Sequence, residues 1–275
     1  MTFEKILHWI NNNNNIRAVL LTGSRGADTF VDELSDYDLA LFGINFQFIQ
    51  NDEWLNEIGH YLICLHEQFF YEDLIIPTRL VIFNTTFKVD FSFHPLSVLS
   101  TLESKKVLPD PYNTGYKVLI DKENLTKSLP VPTFKGFIIK KPTEEEFLKN
   151  INEFWFEIHH SIKYLIRNDI WTAHSRHWAA KLQLLKMLQW ENAIKSNWTF
   201  SPKNEGRNMK AWIDKNTEEE LKACFWRYNR KEGHDSISAT ISLYEKKVNI
   251  VANSLNYKYD NEIGKQISAL QMRLL

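Results

Sequence analysis

The sequence predicts an α+β protein, in which an N-terminal α/β domain with a mixed sheet is followed by a C-terminal α-helical bundle domain. In the first half of the chain, short apolar runs bounded by turn residues alternate with helical patterns, which is typical of a sheet packed against helices. After a proline-containing segment, apolar residues repeat at helical spacing. We therefore expect an α/β domain at residues 1–135 and a helical domain at residues 136–275.

Five segments of the first half have the composition of buried strands, and a short amphipathic helix precedes them. The third and fourth segments are separated by three residues, a connection short enough for a hairpin. Between the second and third segments, residues 51–65 are predicted to be helical. The five predicted strands are 17–22, 37–42, 79–83, 87–93 and 116–120.

The second half begins after a linker, because prolines and a glycine between positions 130 and 142 interrupt regular structure. Thr143 and Glu146 have the spacing of a capping box, which predicts a helix start. Phe154, Ile158, Ile162 and Leu165 then repeat at helical spacing. Further helices are predicted over 172–195, from a second capping box at 217–220, and over 235–255.

Composition excludes several classes of protein. The 275 residues carry a formal net charge of -1, so the basic surface of a dedicated nucleic-acid binder is not expected. The two cysteines, Cys64 and Cys224, are far apart in sequence, which disfavours a disulfide framework or a thiolate zinc site. The sequence has no signal-peptide pattern and no apolar run long enough for a membrane helix. We expect a cytoplasmic protein without membrane or nucleic-acid partners.

Asp36 and Asp38 are candidate metal ligands. Alternate residues of a strand point to the same side, so both carboxylates project together while Tyr37 and Leu39 point towards the core. Adjacent carboxylates repel each other unless they share a cation. Mg²⁺ prefers oxygen ligands and is commonly held by one or two carboxylates together with substrate phosphates. The pair therefore predicts a magnesium site.

A donor-rich turn precedes these acids. Gly23 lets backbone N–H groups approach a phosphate, Ser24 adds a hydroxyl donor, and Arg25 adds a positive charge. A third acid, Asp90, shares one face of its strand with Lys88 and Ser92. Three carboxylates that hold metal ions beside such a turn can neutralise a triphosphate and stabilise attack at its α-phosphorus.

At these residues the chain resembles the polymerase-β-like nucleotidyltransferase superfamily, whose pattern is a hydrophobic residue, Gly-Ser, a spacer, and Asp-x-Asp. Within it, the whole chain is similar to the aminoglycoside 6-adenylyltransferases, or streptomycin adenylyltransferase family. The matching segments run from end to end: 21–25, 36–38, 89–91, 115–122, 152–155, Lys163 and 186–190.

The resemblance implies that AMP is transferred from ATP to an aminoglycoside hydroxyl, with Mg²⁺ present and pyrophosphate released. It implies that Gly23 and Ser24 bind nucleotide phosphate, and that Lys163 contacts a nucleotide phosphate from the helical domain; Arg25, the cation beside the turn, is a further candidate for nucleotide binding. Asp36 and Asp38 are then metal ligands, Asp90 is the third carboxylate and is either a metal ligand or the base, and all three are candidate catalytic residues. Within the segment 152–155, Glu153 is a plausible acceptor contact or general base. The base is left open between Asp90, Glu153 and His177.

Two other functions remain open on the sequence. The same chemistry could act on another hydroxyl, such as that of a lincosamide or a protein side chain. A nucleotide-binding regulator without enzymatic activity would keep the fold but would have no need for three mutually repelling acids. No P-loop or dinucleotide-binding motif is present. The sequence does not give the acceptor hydroxyl or the nucleotide preference. It does not establish the oligomeric state, although a monomer is favoured.

Overall fold

The computed structural model describes residues 2–84, 86–202, 206–260 and 262–271. The chain divides into two compact units, Met1–Phe137 and Ile138–Leu275. The first unit contains a six-stranded mixed sheet and the second is built from helices, so the predicted α+β class is confirmed.

The first unit alternates helices and strands. Four of the five predicted strands start within two residues of the expected position. The remaining one, predicted over 79–83, is longer than expected and starts at Leu74. The elements of this unit are α1 (Phe3–Asn12), β1 (Ile16–Thr22), α2 (Gly23–Ala27), β2 (Tyr37–Gly43), α3 (Trp54–Ile58), β3 (Ile63–Tyr71), β4 (Leu74–Asn84), β5 (Phe87–Pro95), α4 (Ser97–Ser104), α5 (Asp110–Asn113) and β6 (Lys117–Asp121).

The strand order of the sheet is β3-β4-β5-β2-β1-β6. The β2–β5 pair is parallel, whereas the other neighbouring pairs are antiparallel. Leu39 and Phe91 lie in a core with residues of α1 and α3, while Ala40 and Phe42 lie in a second core with residues of α4 and α5. Because both faces of the central strands are covered, these strands read as continuous apolar runs.

The prediction of a helix over residues 51–65 is wrong over most of its length. Only Trp54–Ile58 is α-helical, and β3 begins at Ile63. Strand β3 lies at the edge of the sheet and most of its side chains are exposed, so it lacks the apolar pattern of a buried strand. Its pairing with β4 depends on contacts with the rest of the sheet, which outweigh the preferences of its own sequence.

In the described part of the second unit there are five α-helices. Thr143 and Glu146 form the predicted capping box at the start of the first of them. The capping box predicted at 217–220 is wrong, because Asp214 is the cap and its carboxylate accepts from the backbone N–H of Thr217 at 2.9 Å. The helices are α6 (Glu144–Ile166), α7 (Ile170–Lys195), α8 (Lys215–Ala223), α9 (Arg230–Leu255) and α10 (Glu262–Gln271).

The core of the second unit is formed mainly by α6, α7 and α9. The predicted inward-facing residues of α6, Phe154, Ile158, Ile162 and Leu165, are fully buried. Phe154 stacks on Tyr244 with ring centroids 3.5 Å apart. Among the described residues, no helix combines the length and the hydrophobicity that crossing a membrane requires.

Candidate active site

The turn between β1 and α2 is fitted closely to Asp38. Gly23 has a φ of +63°, a conformation that glycine adopts without the steric cost of a side chain. A Cβ atom at this position would collide with Oδ2 of Asp38. Beside it, the hydroxyl of Thr22 donates to the backbone oxygen of Asp38 at 3.3 Å. Gly23 is therefore needed both for the turn and for the approach of the carboxylate.

The parallel pairing of β2 with β5 brings two predicted acids together. Asp38 and Asp90 are partners in the register, so their side chains leave the sheet on the same face. Asp36 comes one residue before β2 and is joined to this group through the side chain of Lys88. The three carboxylates predicted from the sequence thus form one cluster.

Lys88 is the cation of this cluster. Its ammonium nitrogen lies 2.9 Å from Oδ2 of Asp36 and hydrogen-bonds to Oδ2 of Asp90 at 2.9 Å. It also lies 2.9 Å from Oδ1 of Asp90, but this buried oxygen accepts no hydrogen bond of good geometry. Lys88 thus contacts two of the three acids, Asp36 and Asp90.

Burial and neighbouring charges alter the acidity of Asp90. Burial raises the pKa of this carboxyl, and the negative charges of Asp36 and Glu67 raise it further, while the hydrogen bond and charge of Lys88 lower it; the net change is upward. For Lys88, burial lowers the pKa, but the hydrogen bonds and charges of Asp90 and Asp36 outweigh burial and raise it overall. Lys88 is therefore a cation at neutral pH.

The loop that leads into Asp36 is held by Arg25. The guanidinium donates to the backbone oxygens of Ser35 at 2.9 Å and Asp32 at 3.1 Å. It also lies over the ring of Tyr37, 4.1 Å from the centroid. These contacts give Arg25 a role in positioning the loop, while its predicted contact with nucleotide remains a prediction. Ser24 follows Gly23 in α2 and is half-buried.

Glu153 and Lys163 lie on α6 in the second unit. Glu153 is exposed, and its carboxylate is 3.9 Å from the ammonium of Lys149 in the preceding turn of the helix. It lines an open groove together with Glu144, Glu145, Leu148, Lys149 and Asn152. Three of these six side chains are carboxylates and one is an ammonium, so the groove is acidic.

Lys163 is half-buried near the end of α6. Its ammonium lies 5.3 Å from the centroid of the Tyr164 ring. Ten residues separate it from Glu153, which corresponds to roughly 15 Å along a helix axis. Its predicted contact with phosphate remains a prediction.

His177 is fully buried in the helical unit. Trp226 donates its indole N–H to Nδ1 at 2.9 Å, and Nε2 lies 2.8 Å from the hydroxyl of Thr240. Because indole is only a donor, Nδ1 is the acceptor and Nε2 carries the proton. Burial lowers the pKa of His177 well below its ordinary value. Its ring is thus neutral and engaged at both nitrogens, which fits a structural role better than proton transfer.

Two residues near the carboxylates were missed as site residues. Lys88 has a visible signal, since the spacing Lys88-x-Asp90 places both side chains on one face of a strand. Glu67 has none, because it lies on β3, which was not predicted as a strand. Its charge acts on Asp90 only because β3, β4 and β5 are neighbours in the sheet.

The cluster has the chemistry of a Mg²⁺ site. It offers carboxylate oxygens from three neighbouring side chains, and these are the hard ligands that Mg²⁺ prefers. Oδ1 of Asp90 is buried, accepts no hydrogen bond and lies 2.9 Å from the ammonium of Lys88, so a metal ion bound to it would displace that ammonium. Asp36, Asp38 and Asp90 therefore fit the ion that the sequence implied.

Comparison with known proteins gives one consistent match. A family model described as streptomycin adenylyltransferase matches residues 1–274. An aminoglycoside 6-adenylyltransferase of Campylobacter jejuni is 27% identical over 271 residues, covering 94% of this chain and 89% of the relative. One from Bacillus subtilis (strain 168) is 28% identical over 260 residues, covering 90% and 88%. A crystal structure of an aminoglycoside 6-adenyltransferase from Bacillus subtilis covers 98% of this chain and 96% of its own, at 23% identity and a TM-score of 0.49; that superposition adds nothing to the match of the family model.

Proposed function

The chain belongs to the streptomycin adenylyltransferase family and is a nucleotidyltransferase, and we propose that it transfers AMP from ATP to a hydroxyl of a streptomycin-like aminoglycoside. The observation that carries this proposal is the cluster of Asp36, Asp38 and Asp90 beside the Gly23 turn. In this proposal the unit Met1–Phe137 binds ATP, with Ser24 and Arg25 close to its phosphates. The helical unit Ile138–Leu275 supplies Lys163 to a phosphate and Glu153 to the acceptor.

Asp36, Asp38 and Asp90 would hold Mg²⁺. When bound, Mg²⁺ neutralises charge on the phosphates and on the pyrophosphate that leaves. Without the three carboxylates the site could hold no divalent ion to neutralise the charge of a tetra-anionic nucleotide. The acids are thus required for the ion, and the ion for the nucleotide.

Lys88 acts in this proposal as the counter-ion of the free site. A metal ion needs the same carboxylate oxygens that the ammonium contacts at 2.9 Å. Two cations that close repel each other, so Lys88 must move away from at least one carboxylate. The net free energy of metal binding is therefore the free energy of binding to the bare carboxylates minus the free energy lost when these ion pairs break. Once released, the flexible stem of Lys88 allows its ammonium to turn towards the phosphates.

The transfer step is an in-line displacement. The acceptor oxygen forms a bond to the α-phosphorus, the bond from that phosphorus to the bridging oxygen breaks, and pyrophosphate leaves with the electron pair. The hydroxyl proton passes to a carboxylate. Asp90, the register partner of Asp38, is our first choice as this base.

The acidic groove on α6 supports an aminoglycoside acceptor. Aminoglycosides are polycations, and the carboxylates of Glu144, Glu145 and Glu153 present negative charge without a matching number of cations. Exposed charge pairs are individually weak, but several carboxylates that face one polycation act together. Glu153 is the groove residue that the family resemblance also singled out.

An aromatic pocket in the same unit favours a second candidate, a less polar acceptor such as a lincosamide. Trp171, His174, Ser175 and Tyr228 line it, and Trp171 is 77% exposed. Exposed aromatic side chains that lie together, rather than singly, are typical of ligand-binding grooves. The pocket is largely apolar, so the acceptor that it would bind is less polar than the polycation that the acidic groove would bind.

The test is release of pyrophosphate from ATP and Mg²⁺ in the presence of a panel of aminoglycosides and lincosamides, with Asp38→Asn as the blank. Release with streptomycin that the blank lacks, together with an AMP adduct of matching mass, supports the proposal. Release with lincosamides alone moves the acceptor to the aromatic pocket. Mg²⁺-dependent ATP binding without release for any compound would contradict antibiotic transfer and favour a regulator.

A further inference from the structure

We propose that Asp52, Cys64 and His66 form a second metal site, one that binds a thiophilic divalent cation of the Zn²⁺ class. The three residues lie in the first unit and take no part in the proposed transfer. They belong to one edge of the sheet, where β3 passes the segment that precedes α3. The inference does not depend on the acceptor or on the catalytic metal.

The geometry brings three ligand atoms together. One donor atom of each residue lies within 4.8 Å of the other two. Nε2 of His66 is 3.0 Å from Oδ1 and 2.9 Å from Oδ2 of Asp52. Ligands of a single zinc ion are separated by roughly 3.5 Å when the bond lengths are about 2.0–2.3 Å. Side-chain rotations that move the ligand atoms by about one or two ångströms, with no change in the backbone of the strand, would bring the three atoms to this separation around an ion.

Local structure explains why two ligands of this triad point the same way. Cys64 and His66 are alternate residues of β3, so they share one face of the strand. In the register with β4 they lie opposite Val81 and Arg79. Arg79 is in turn paired with Phe91, which points away from Asp90. The triad and the catalytic carboxylates therefore lie on opposite faces of the sheet.

The donor set selects the type of metal. A thiolate sulfur, an imidazole nitrogen and a carboxylate oxygen suit Zn²⁺ or Co²⁺, whereas Mg²⁺ prefers oxygen ligands alone. Three protein ligands leave one position of a tetrahedral ion for water. Since Cys64 is only partly buried and His66 is exposed, an ion can reach the site from solvent.

Arg79 is the charged group that faces the triad. Its Nε lies 3.5 Å from Oδ1 of Asp52, and its other nitrogens donate to the backbone oxygens of Ile49 and Thr78 at 2.7 and 3.0 Å. The guanidinium is thus fixed behind Asp52 and orients that carboxylate, as outer-shell partners of metal ligands do. Metal binding requires the Cys64 thiol to lose its proton, and the charge of Arg79 then offsets one of the two negative charges of the thiolate and the carboxylate.

An ion at this position would join an edge strand to the segment before α3. Strand β3 pairs on one side only, with β4, and most of its side chains are exposed. A metal that binds the folded chain stabilises it in proportion to the logarithm of the ratio of free metal to Kd. The site is therefore expected to have a structural role at the edge of the sheet.

The experiment is a titration of the metal-free protein with Co²⁺, followed by visible and near-ultraviolet absorption. We expect one equivalent of Co²⁺ to give a tetrahedral ligand-field spectrum with a sulfur-to-metal charge-transfer band, and Zn²⁺ to abolish it. Cys64→Ser should remove the charge-transfer band. Cys224→Ser is the matched control, since that thiol is buried in the other unit, and it should leave the band unchanged.

Two further variants keep the test decisive. His66→Gln changes an exposed side chain and should weaken Co²⁺ binding at least tenfold even if Cys64→Ser folds poorly. Asp38→Asn should leave the charge-transfer band intact, which separates this site from the catalytic carboxylates. Absence of the band in the wild-type protein, or a band that persists in Cys64→Ser, would overturn the proposal and leave His66 and Asp52 as a simple ion pair.

Discussion

The carboxylate of Asp38 occupies the space that a side chain at Gly23 would need. The turn that is predicted to receive phosphate and the strand that is predicted to hold metal are therefore fitted to each other atom by atom. A change at Gly23 acts on the metal site, although Gly23 has no functional group of its own.

Gly23→Ala is expected to lower kcat at least a hundredfold. The Cβ must displace Asp38, and the backbone at φ +63° costs a residue other than glycine about 1–2 kcal/mol. Gly206→Ala is the matched control, because Gly206 also has a positive φ and its Cβ would meet the flexible end of Met209. Steady-state kinetics of both variants check this, and equal losses in the two would contradict the fitted turn.

Asp36→Asn and Asp38→Asn should each reduce turnover at least a hundredfold while the protein stays folded. Each change removes a metal-binding charge and leaves the apolar cores intact. Thermal unfolding should show a Tm close to that of the wild type, because reduced repulsion among the acids offsets the reduced attraction to Lys88. Turnover near the wild-type rate in either variant would remove that residue from the metal site.

Lys88→Met should bind Mn²⁺, used as a probe of the Mg²⁺ site, about tenfold more tightly than the wild type in the absence of nucleotide. The variant lacks the ammonium that competes for Asp36 and Asp90, and tenfold corresponds to about 1.4 kcal/mol. Isothermal titration calorimetry measures it directly. Lys105→Met, which breaks the exposed pair with Glu72, is the control and should not change Mn²⁺ affinity.

Glu153→Gln should raise KM for the aminoglycoside severalfold and leave KM for ATP unchanged. The substitution removes one negative charge from the groove on α6 without altering its shape. Glu219→Gln, also exposed in the helical unit, serves as the control. If the two variants behave alike, Glu153 belongs to the solvated surface of α6.

His94 should make the protein less stable as the pH falls. Burial lowers the pKa of His94 to about 3, below the value of about 6.5 in the unfolded chain, so the unfolded chain takes up more protons between these values. Stability that is present above pH 6.5 is therefore lost as the pH falls towards 3, by at most about 1.4 kcal/mol per pH unit.

Urea unfolding at pH 7.5 and pH 5.5 measures this loss, and His94→Met should have the smaller difference between the two. His8→Gln changes an exposed histidine and should retain the wild-type difference. An unchanged pH dependence in His94→Met would assign the loss to other groups.

Several features could be predicted because they depend on neighbours in sequence. The capping box at Thr143 needs only residues three apart, and the buried strands β1 and β2 are visible as apolar runs. The second capping box failed because two local arrangements compete there, and Asp214 formed the cap that Thr217 was expected to form. Local patterns thus located the elements but did not always give their ends.

The sequence by itself determined the family, the buried strands β1, β2, β5 and β6, the long helices of the second unit, and the acids that are candidates for the metal site. Only the tertiary structure decided that Asp38 and Asp90 share a register position, that Lys88 bridges Asp36 and Asp90, and that Asp52 meets Cys64 and His66. The physical reason is that strand pairing joins residues dozens of positions apart, and a shift of one residue would send their side chains to the other face of the sheet.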